Sequence, residues 1–179
     1  MSTSWSSRRL RSHIRPGVRV LFVGINPGVR SAETGHHFAG DSNRFWKLLS
    51  EAKLVPESIG CEDDGRLPEW GYGITNLVAR PTPGISDLTA ADYRRGRAAL
   101  VRRIRRCRPE VVALVGVTLF RALFPEASRG TAIACGPRPE RLGGVPVFVL
   151  PNPSGRNANF TYDEMLQAFR KLKRYRART

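Results

Sequence analysis

The sequence predicts an α/β protein, a three-layer α/β/α domain with a central, mostly parallel sheet of four to five strands. Continuous apolar runs such as Val18–Val23 are typical of strands that are buried on both faces. Amphipathic helical segments follow these runs, and strand–helix alternation indicates a parallel sheet covered by helices. The length of 179 residues suits one domain. We place this domain at residues 16–179, after a flexible basic arm over residues 1–15.

Four apolar runs are the predicted strands, at residues 18–23, 74–78, 110–116 and 145–150. In the last of them, Pro146 is expected at the start or on an edge of the sheet, because proline cannot donate to a ladder.

Helix starts are marked by capping residues. Ser42 is expected to cap a helix that carries Phe45 on its apolar face, and capping boxes at Thr89 and Thr161 are expected to open two longer helices. A short helix is predicted after the third strand. Residues 56–70 are expected to form a polar loop with a turn at residues 63–65.

The charge predicts a polyanionic partner. Thirty Lys and Arg against fifteen Asp and Glu give a net charge of +15 and a pI near 11.2, which favours nucleic acid. A coding bias toward Arg is the alternative. No apolar run is long enough to cross a bilayer, and neither end carries a basic amphipathic helix with an aromatic face. We therefore expect no membrane partner.

The three cysteines, Cys61, Cys107 and Cys135, are odd in number and far apart. This spacing excludes a C-x-x-C pair and a four-cysteine iron–sulfur cluster, and it argues against a disulfide framework. A reducing compartment is expected, the cytoplasm for a bacterial protein or the nucleus for a eukaryotic one. A monomer is the default expectation.

The segment Gly24–Gly28, with the sequence Gly-Ile-Asn-Pro-Gly, directly follows the first predicted strand. Pro27 fixes its own φ and restricts the residue before it, so Asn26 is held in an extended conformation. An amide offers donors and an acceptor but no basicity. Asn26 can therefore hold a water molecule or a polar ligand edge, although an ordinary Asn-Pro turn is the simpler alternative.

A second polar loop, residues 152–159, follows the last predicted strand. Ligands of open α/β sheets bind beyond the carboxyl ends of the strands. The Asn26 loop and the Asn152 loop are therefore expected to meet, unless the second is only a connection.

The pair His36-His37 is not expected to bind metal, because adjacent side chains diverge and His13 is the only other histidine. No G-x-G-x-x-G or Walker loop is present, which argues against a nucleotide cofactor. We expect neither a metal nor a cofactor.

An ordered set of motifs resembles the mismatch-specific uracil-DNA and thymine-DNA glycosylase family over residues 18–175. The set comprises Gly24-Ile25-Asn26-Pro27-Gly28, Gly35-His36-His37-Phe38, Asn43-Arg44-Phe45-Trp46-Lys47, Tyr72-Gly73-Ile74-Thr75-Asn76-Leu77-Val78 with Arg80, Thr82, Pro83 and Gly84, and Asn152-Pro153-Ser154-Gly155. The Gly-His-His and Thr-Asn-Leu-Val pieces are closer to the thymine branch, and Asn-Pro-Ser-Gly is closer to the bacterial mismatch-uracil branch.

The resemblance implies a uracil-DNA glycosylase-like fold and an enzyme that needs no metal or cofactor. Such an enzyme flips uracil, or thymine opposite guanine, out of duplex DNA and hydrolyses the N-glycosidic bond. Asn26 matches the residue that positions the attacking water, and Phe38 matches the aromatic residue that stacks on the base. The rest of the implied base pocket comprises Ile25, Ser31 and Asn76.

The loop at residues 152–159 matches the family's wedge, which fills the gap left by the flipped base and contacts the opposite guanine. Its implied contact residues are Asn152, Ser154, Gly155, Arg156 and Asn157. Arg156 stands where the bacterial branch has Leu, and Ala158 where Arg is usual, which leaves the strictness of guanine recognition open. Candidates for contact with the DNA backbone are Asn43, Arg8, Arg9 and Arg11, while a role for the run Arg102–Arg106 stays open.

The predicted partner is therefore double-stranded DNA with a G·U or G·T mismatch. Uracil, thymine, hypoxanthine, xanthine and ethenocytosine all fit the family's chemistry. Two rival readings remain: a non-catalytic binder of mismatched or damaged DNA on the same fold, and a small-molecule or RNA-associated α/β enzyme that uses the Asn26 edge.

Overall fold

The computed structural model describes residues 4–176 and contains one five-stranded sheet with the order β2-β1-β3-β5-β4. Its strands are β1 (Val20–Gly24), β2 (Tyr72–Asn76), β3 (Val111–Val115), β4 (Gly136–Leu142) and β5 (Val145–Leu150). β4 alone runs antiparallel to its neighbour. The predicted fold class, a mostly parallel α/β sheet, is confirmed.

Helices cover both faces of the sheet. They are α1 (Val29–Thr34), α2 (Phe45–Glu51), α3 (Ala90–Cys107), α4 (Val117–Leu123) and α5 (Tyr162–Arg176). Side chains of β1 alternate between two cores: Phe22 packs with residues of α2 and α5, and Leu21 packs with residues of α3 and α4. No helix within residues 4–176 is long and apolar enough to cross a membrane.

Both predicted capping boxes are present. The Asp92 amide N–H donates to Thr89 Oγ1 over 3.2 Å, and the Asp92 carboxylate accepts the Thr89 amide N–H over 2.9 Å. Thr161 and Glu164 make the same reciprocal pair at the start of α5, over 3.2 and 2.7 Å. These pairs fix where the two longest helices begin.

Two local expectations were wrong, and one strand was not predicted. Ser42 does not cap α2; the Phe45 amide N–H instead donates to Asn43 Oδ1 over 3.0 Å. The predicted polar loop contains a 3-10 helix over Cys61–Trp70, which buries Asp64 and Leu67. β4 was not predicted as a strand, because its sequence GPRPERL is polar and carries two prolines. It is an edge strand, where such residues are tolerated.

The N-terminal arm is not separate from the domain over its whole length. His13 pairs with Ile74 of β2 through two backbone hydrogen bonds of 3.0 and 2.9 Å. The segment before residue 16 therefore lies along the free edge of β2. Residues 1–3 and 177–179, the outer ends of the predicted arm and domain, are outside the described residues.

Candidate active site

A cavity of about 550 Å³ opens at the carboxyl ends of β1, β2 and β5. As expected from the parallel sheet, the Asn26 loop and the Asn152 loop both line it. The predicted site residues that line the cavity are Ile25, Asn26, Ser31, Phe38, Asn43, Asn76, Asn152, Ser154 and Arg156. Leu10 and Thr82, which were not predicted as site residues, line it as well.

The backbone of the Asn26 loop is fixed on both sides of Asn26. The carbonyls of Gly24 and Ile25 each accept an amide N–H from the segment after β2 over 2.8 Å, and the Pro27 carbonyl accepts the Thr82 N–H over 3.1 Å. The rigidity predicted from Pro27 is thus supported by an adjacent segment of the chain.

The side chain of Asn26 has a defined orientation. Thr82 Oγ1 donates its only hydrogen to the Gly84 carbonyl over 2.7 Å, so it can only accept from Asn26 Nδ2, which lies 2.7 Å away. Nδ2 also faces the Arg80 carbonyl at 3.1 Å. Within residues 4–176, Asn26 Oδ1 accepts no hydrogen bond. This oxygen is therefore available to a water molecule.

The segment that holds Asn26 is braced by Asp92. Arg80 Nη2 donates to Asp92 Oδ2 over 2.8 Å, and Thr89 donates to the same carboxylate from its backbone and its hydroxyl. The hydrogen bond from Arg80, followed by those from Thr89, holds the pKa of the Asp92 carboxyl well below its usual range. Asp92 is therefore ionised at neutral pH, and the brace is charge-assisted.

Phe38 is held in an uncommon backbone conformation with φ of +51°. Its ring stacks on Phe45, with centroids 4.3 Å apart and planes at 25°. The Trp46 indole N–H donates to the His37 carbonyl over 3.0 Å, and the Ala39 N–H donates to Ser31 Oγ over 3.2 Å. Contacts on both sides thus maintain this conformation, which leaves Phe38 partly exposed toward the cavity.

Asn76 reaches the cavity only because residue 24 is glycine. A Cβ at Gly24 would lie 2.5 Å from Asn76 Oδ1 and 3.2 Å from Phe38 Cζ. Asn76 makes no side-chain hydrogen bond within the described chain, so its amide is free to contact a ligand. The main-chain carbonyl of Asn76 accepts a hydrogen bond from Arg103 Nη1 over 3.3 Å.

Arg103 belongs to the basic run whose role the sequence left open. Its guanidinium lies against the end of β2, where Nη1 donates to Thr75 Oγ1 and to the main-chain carbonyl of Asn76. Burial at this position lowers the pKa of Arg103. The sequence pattern of α3, which contains many arginines, does not indicate that Arg103 is the one that supports Asn76.

Ser31 contributes to the site through its hydroxyl and through its backbone N–H. Its hydroxyl supports the chain after Phe38, and its backbone N–H lies in the first turn of α1, where amides have no acceptor within the helix. Ile25 lines the cavity while its carbonyl is used by Val78.

The loop at residues 152–159 is stiffened by its own polar side chains. Asn152 Oδ1 accepts the Ser154 N–H over 3.0 Å, and Asn157 Nδ2 donates to the Asn152 carbonyl over 2.8 Å. A Cβ at Gly155 would lie 2.6 Å from Ser42 Cβ, so the loop packs closely on the segment before α2. Asn157 and Gly155 shape the loop without lining the main cavity, whereas Arg156 is exposed and lines both this cavity and a smaller one beside it.

The four residues suggested for the DNA backbone are not one group. Asn43 lines the cavity, and its side-chain oxygen receives the Phe45 N–H. Arg8, Arg9 and Arg11 are exposed and do not line the cavity, and Arg8 Nη1 donates to the Glu33 carbonyl over 3.1 Å. The N-terminal segment nevertheless reaches the site, because Leu10 lies in the cavity wall.

The three histidines meet around one buried carboxylate, that of Asp64. His13, His37 and Asp64 each offer one possible metal ligand atom, and these atoms lie within 4.8 Å of one another. Hydrogen bonds already engage both carboxylate oxygens: His36 Nδ1 lies 3.2 Å from Oδ1, and the His37 N–H donates to Oδ2 over 2.9 Å. His13 Nε2 also lies 3.3 Å from Oδ1. The sequence-based argument that these histidines diverge was therefore incomplete, since it did not anticipate Asp64.

The fold and the cavity define an α/β protein with a ligand site at the carboxyl edge of its sheet, where an aromatic face and neutral amides suit a planar polar ring. Residues 12–173 match the family model of the uracil DNA glycosylase superfamily, and the chain belongs to this superfamily. Its class is therefore that of the DNA glycosylases, hydrolases that cleave N-glycosidic bonds in DNA repair.

A solved structure supports the fold assignment. The chain is similar to the solution NMR structure of a candidate uracil DNA glycosylase from Methanosarcina acetivorans, with 16% identity and a TM-score of 0.64. The match covers 93% of this chain and 98% of the other. At this identity the likeness bears on the fold alone.

Proposed function

We propose that the protein is a monomeric, monofunctional DNA glycosylase that removes uracil from G-mismatched duplex DNA and so starts base excision repair. Thymine and other deaminated or alkylated bases are candidate further substrates. The observation that carries the proposal is the fixed amide of Asn26, which lines the cavity together with Phe38 and Asn76 and whose Oδ1 accepts no hydrogen bond within residues 4–176.

Asn26 would act by placing water. Its Oδ1 accepts a hydrogen bond from the water molecule and directs the water oxygen at C1′ of the flipped nucleotide. The C1′–N bond breaks with its electron pair passing to the base, and a C1′–O bond to water then forms. The proton that the water loses after the attack passes through solvent to the departed base anion, so no strong base is required.

The residues around Asn26 agree with such a dissociative reaction. Among residues 4–176, the only carboxylate that lines the cavity is that of Asp41, whose side chain is 94% exposed and lies 3.9 Å from Arg30 Nε. It makes no hydrogen bond to Asn26. The reaction therefore depends on orientation and on dipoles that stabilise separated charge.

Base capture is assigned to Phe38 and Asn76. Phe38 offers a ring face on which a flipped base can stack, and the unpaired Asn76 amide can bond a polar base edge. The loop that carries Arg156 would enter the gap in the duplex. Because flipping requires less energy at a mismatch than at a Watson–Crick pair, a G·U pair is the favoured substrate. The net charge of +15 favours binding to the DNA backbone.

The test is incubation with an end-labelled G·U duplex in EDTA, followed by alkali, which cleaves the strand at an abasic site. A·U, G·T and single-stranded substrates show the range. We expect a strand break at uracil with the wild-type chain. Asn26→Ala should bind the duplex with similar affinity but excise about 10²–10³-fold more slowly, by analogy with the loss of one transition-state hydrogen bond.

Two outcomes would contradict the proposed function, and a third would contradict the role of Asn26 within it. Tight binding of the G·U duplex without any strand break would favour the non-catalytic binder. Duplex binding no stronger than the binding of free nucleotides would favour a small-molecule or RNA-associated enzyme. Equal excision by Asn26→Ala would remove the role assigned to Asn26.

A further inference from the structure

Asp64 joins three segments that are distant in sequence. It is 3% exposed, lies on the 3-10 helix over Cys61–Trp70 and does not line the cavity. Its Oδ1 contacts His13 Nε2 and His36 Nδ1, and its Oδ2 accepts the backbone N–H of His37. We call these four residues, Asp64, His13, His36 and His37, the Asp64 clasp.

On one side, the clasp holds the base-stacking residue. His37 directly precedes Phe38, and its backbone is bound at both ends: the N–H by Asp64 and the carbonyl by Trp46. Because Phe38 adopts a positive φ, its conformation depends on such neighbouring contacts. Asp64 therefore supports the conformation of Phe38, a residue of the cavity wall, although Asp64 itself does not line the cavity.

On the other side, the clasp holds the N-terminal segment. His37 Nε2 lies 3.1 Å from the Arg11 carbonyl, and His13 pairs with Ile74 at the edge of β2. The Ser12 and Thr75 hydroxyls are 2.6 Å apart. These contacts fix residues 11–13, and the adjacent Leu10 lines the cavity.

We propose that Asp64 is a positioning residue that fastens residues 10–13 to the base pocket, so that Leu10 and Phe38 are held together as parts of its wall. The N-terminal segment is then a component of the base-recognition site and not only a basic arm. The effect on substrate rests on the function proposed above, whereas the fastening of the segment does not.

The fastening is tested by limited trypsin digestion of the untagged full chain, with cleavage after Arg11, which is followed by Ser12, monitored by mass spectrometry. We expect slow cleavage in the wild type and at least about tenfold faster cleavage in Asp64→Asn, because an amide has one acceptor oxygen and no charge where the carboxylate has two acceptor oxygens and a negative charge. The matched control is Asp63→Asn, a neighbouring carboxylate whose hydrogen-bond partners within the described chain are Gly60 and Arg66, and it should leave cleavage unchanged.

His13 provides a second, milder variant should Asp64→Asn fold poorly. His13→Ala should speed cleavage, and His13→Gln, which keeps a side-chain N–H donor, should restore part of the protection. Unchanged cleavage in both His13→Ala and Asp64→Asn would overturn the clasp. Loss of wild-type protection in EDTA would also overturn it, because the cluster would then depend on a metal ion.

The effect on the site is read from excision kinetics on the G·U duplex. Asp64→Asn should raise KM about tenfold with little change in kcat, because base capture is impaired while Asn26 is untouched; Asp63→Asn should stay within about twofold of wild type. An open segment with unchanged KM would overturn the role of Asp64 in the pocket. Absence of excision by the wild type would overturn the proposed function, while the trypsin result would still decide the clasp.

Discussion

Asn26 Nδ2 donates to Thr82 Oγ1 over 2.7 Å, and Thr82 Oγ1 donates in turn to the Gly84 carbonyl over 2.7 Å. This relay distinguishes the two ends of the Asn26 amide, because a hydroxyl that has used its hydrogen can only accept. The oxygen of Asn26 is therefore the end of the amide that Thr82 leaves free, in a side chain that lines the cavity. A residue 56 positions away thus determines which atom of Asn26 a ligand meets.

Thr82→Val should lower kcat with little change in duplex affinity. Valine has the shape of threonine but cannot accept from Asn26, and one hydrogen bond contributes about 0.5–1.5 kcal/mol. Since 1.4 kcal/mol corresponds to a factor of ten, we expect roughly a three- to tenfold slower single-turnover rate. Thr82→Ser should retain most of the rate. An unchanged rate in Thr82→Val would show that the Arg80 carbonyl orients Asn26 without it.

Gly24→Ala should damage base capture. Gly24 does not have a positive φ, so alanine fits the backbone, but its Cβ would lie 2.5 Å from Asn76 Oδ1 and 3.2 Å from Phe38 Cζ. We expect a fall in kcat/KM of at least about tenfold on the G·U duplex. In an Asn76→Ala background the same substitution should cost less, because the closest atom has been removed. Additive losses in the double variant would contradict this account.

The sequence predicted the parts of the fold that depend on local pattern. The apolar runs around Phe22 and Val112 are buried strands, and the capping boxes at Thr89 and Thr161 open helices because their reciprocal bonds join residues three apart. β4 escaped prediction because its stability comes from pairing with β5 rather than from its own composition.

The candidate site was predictable to the same extent. Asn26 and Asn152 were expected to meet because both follow parallel strands, and both line the cavity. The supports were not predictable: the contact of Thr82 with Asn26 and that of Asp64 with His13 join residues whose spacing follows no period. A helical pattern also cannot show which arginine of α3 turns inward, as Arg103 does.

Arg156→Ala should slow excision more on an A·U duplex than on a G·U duplex. Arg156 is exposed on a loop that is stiffened by Asn152 and Asn157, and it is the longest side chain of the loop that we propose as the wedge. A Watson–Crick pair needs more energy to open, so its flipping depends more on the wedge. Single-turnover rates at fixed salt measure the difference.

Two controls accompany the Arg156 experiment. Arg129→Ala removes the same charge from an exposed side chain outside the cavity and should affect both duplexes slightly and equally. Single-stranded uracil DNA, which needs no wedge, should be excised by Arg156→Ala at nearly the wild-type rate. Equal losses on all three substrates would assign Arg156 to general backbone binding.

His37 should make the protein less stable as the pH falls below about 6.5, the ordinary pKa of an unfolded histidine. Burial lowers the pKa of His37, an effect opposed by the Arg11 carbonyl and by Asp64 and reinforced by His13 and His36. Between the lowered pKa and 6.5, the unfolded chain binds a proton that the folded chain does not, so protonation favours unfolding. For one proton the slope is at most about 1.4 kcal/mol per pH unit. Urea unfolding at pH 7.5, 6.5 and 5.5 measures how the free energy of unfolding depends on pH.

The control is His37→Gln, which keeps an N–H for the Arg11 carbonyl and should show a shallower dependence of the unfolding free energy on pH. A wild type that matches His37→Gln at every pH would mean that His37 has the same pKa in the folded and unfolded states.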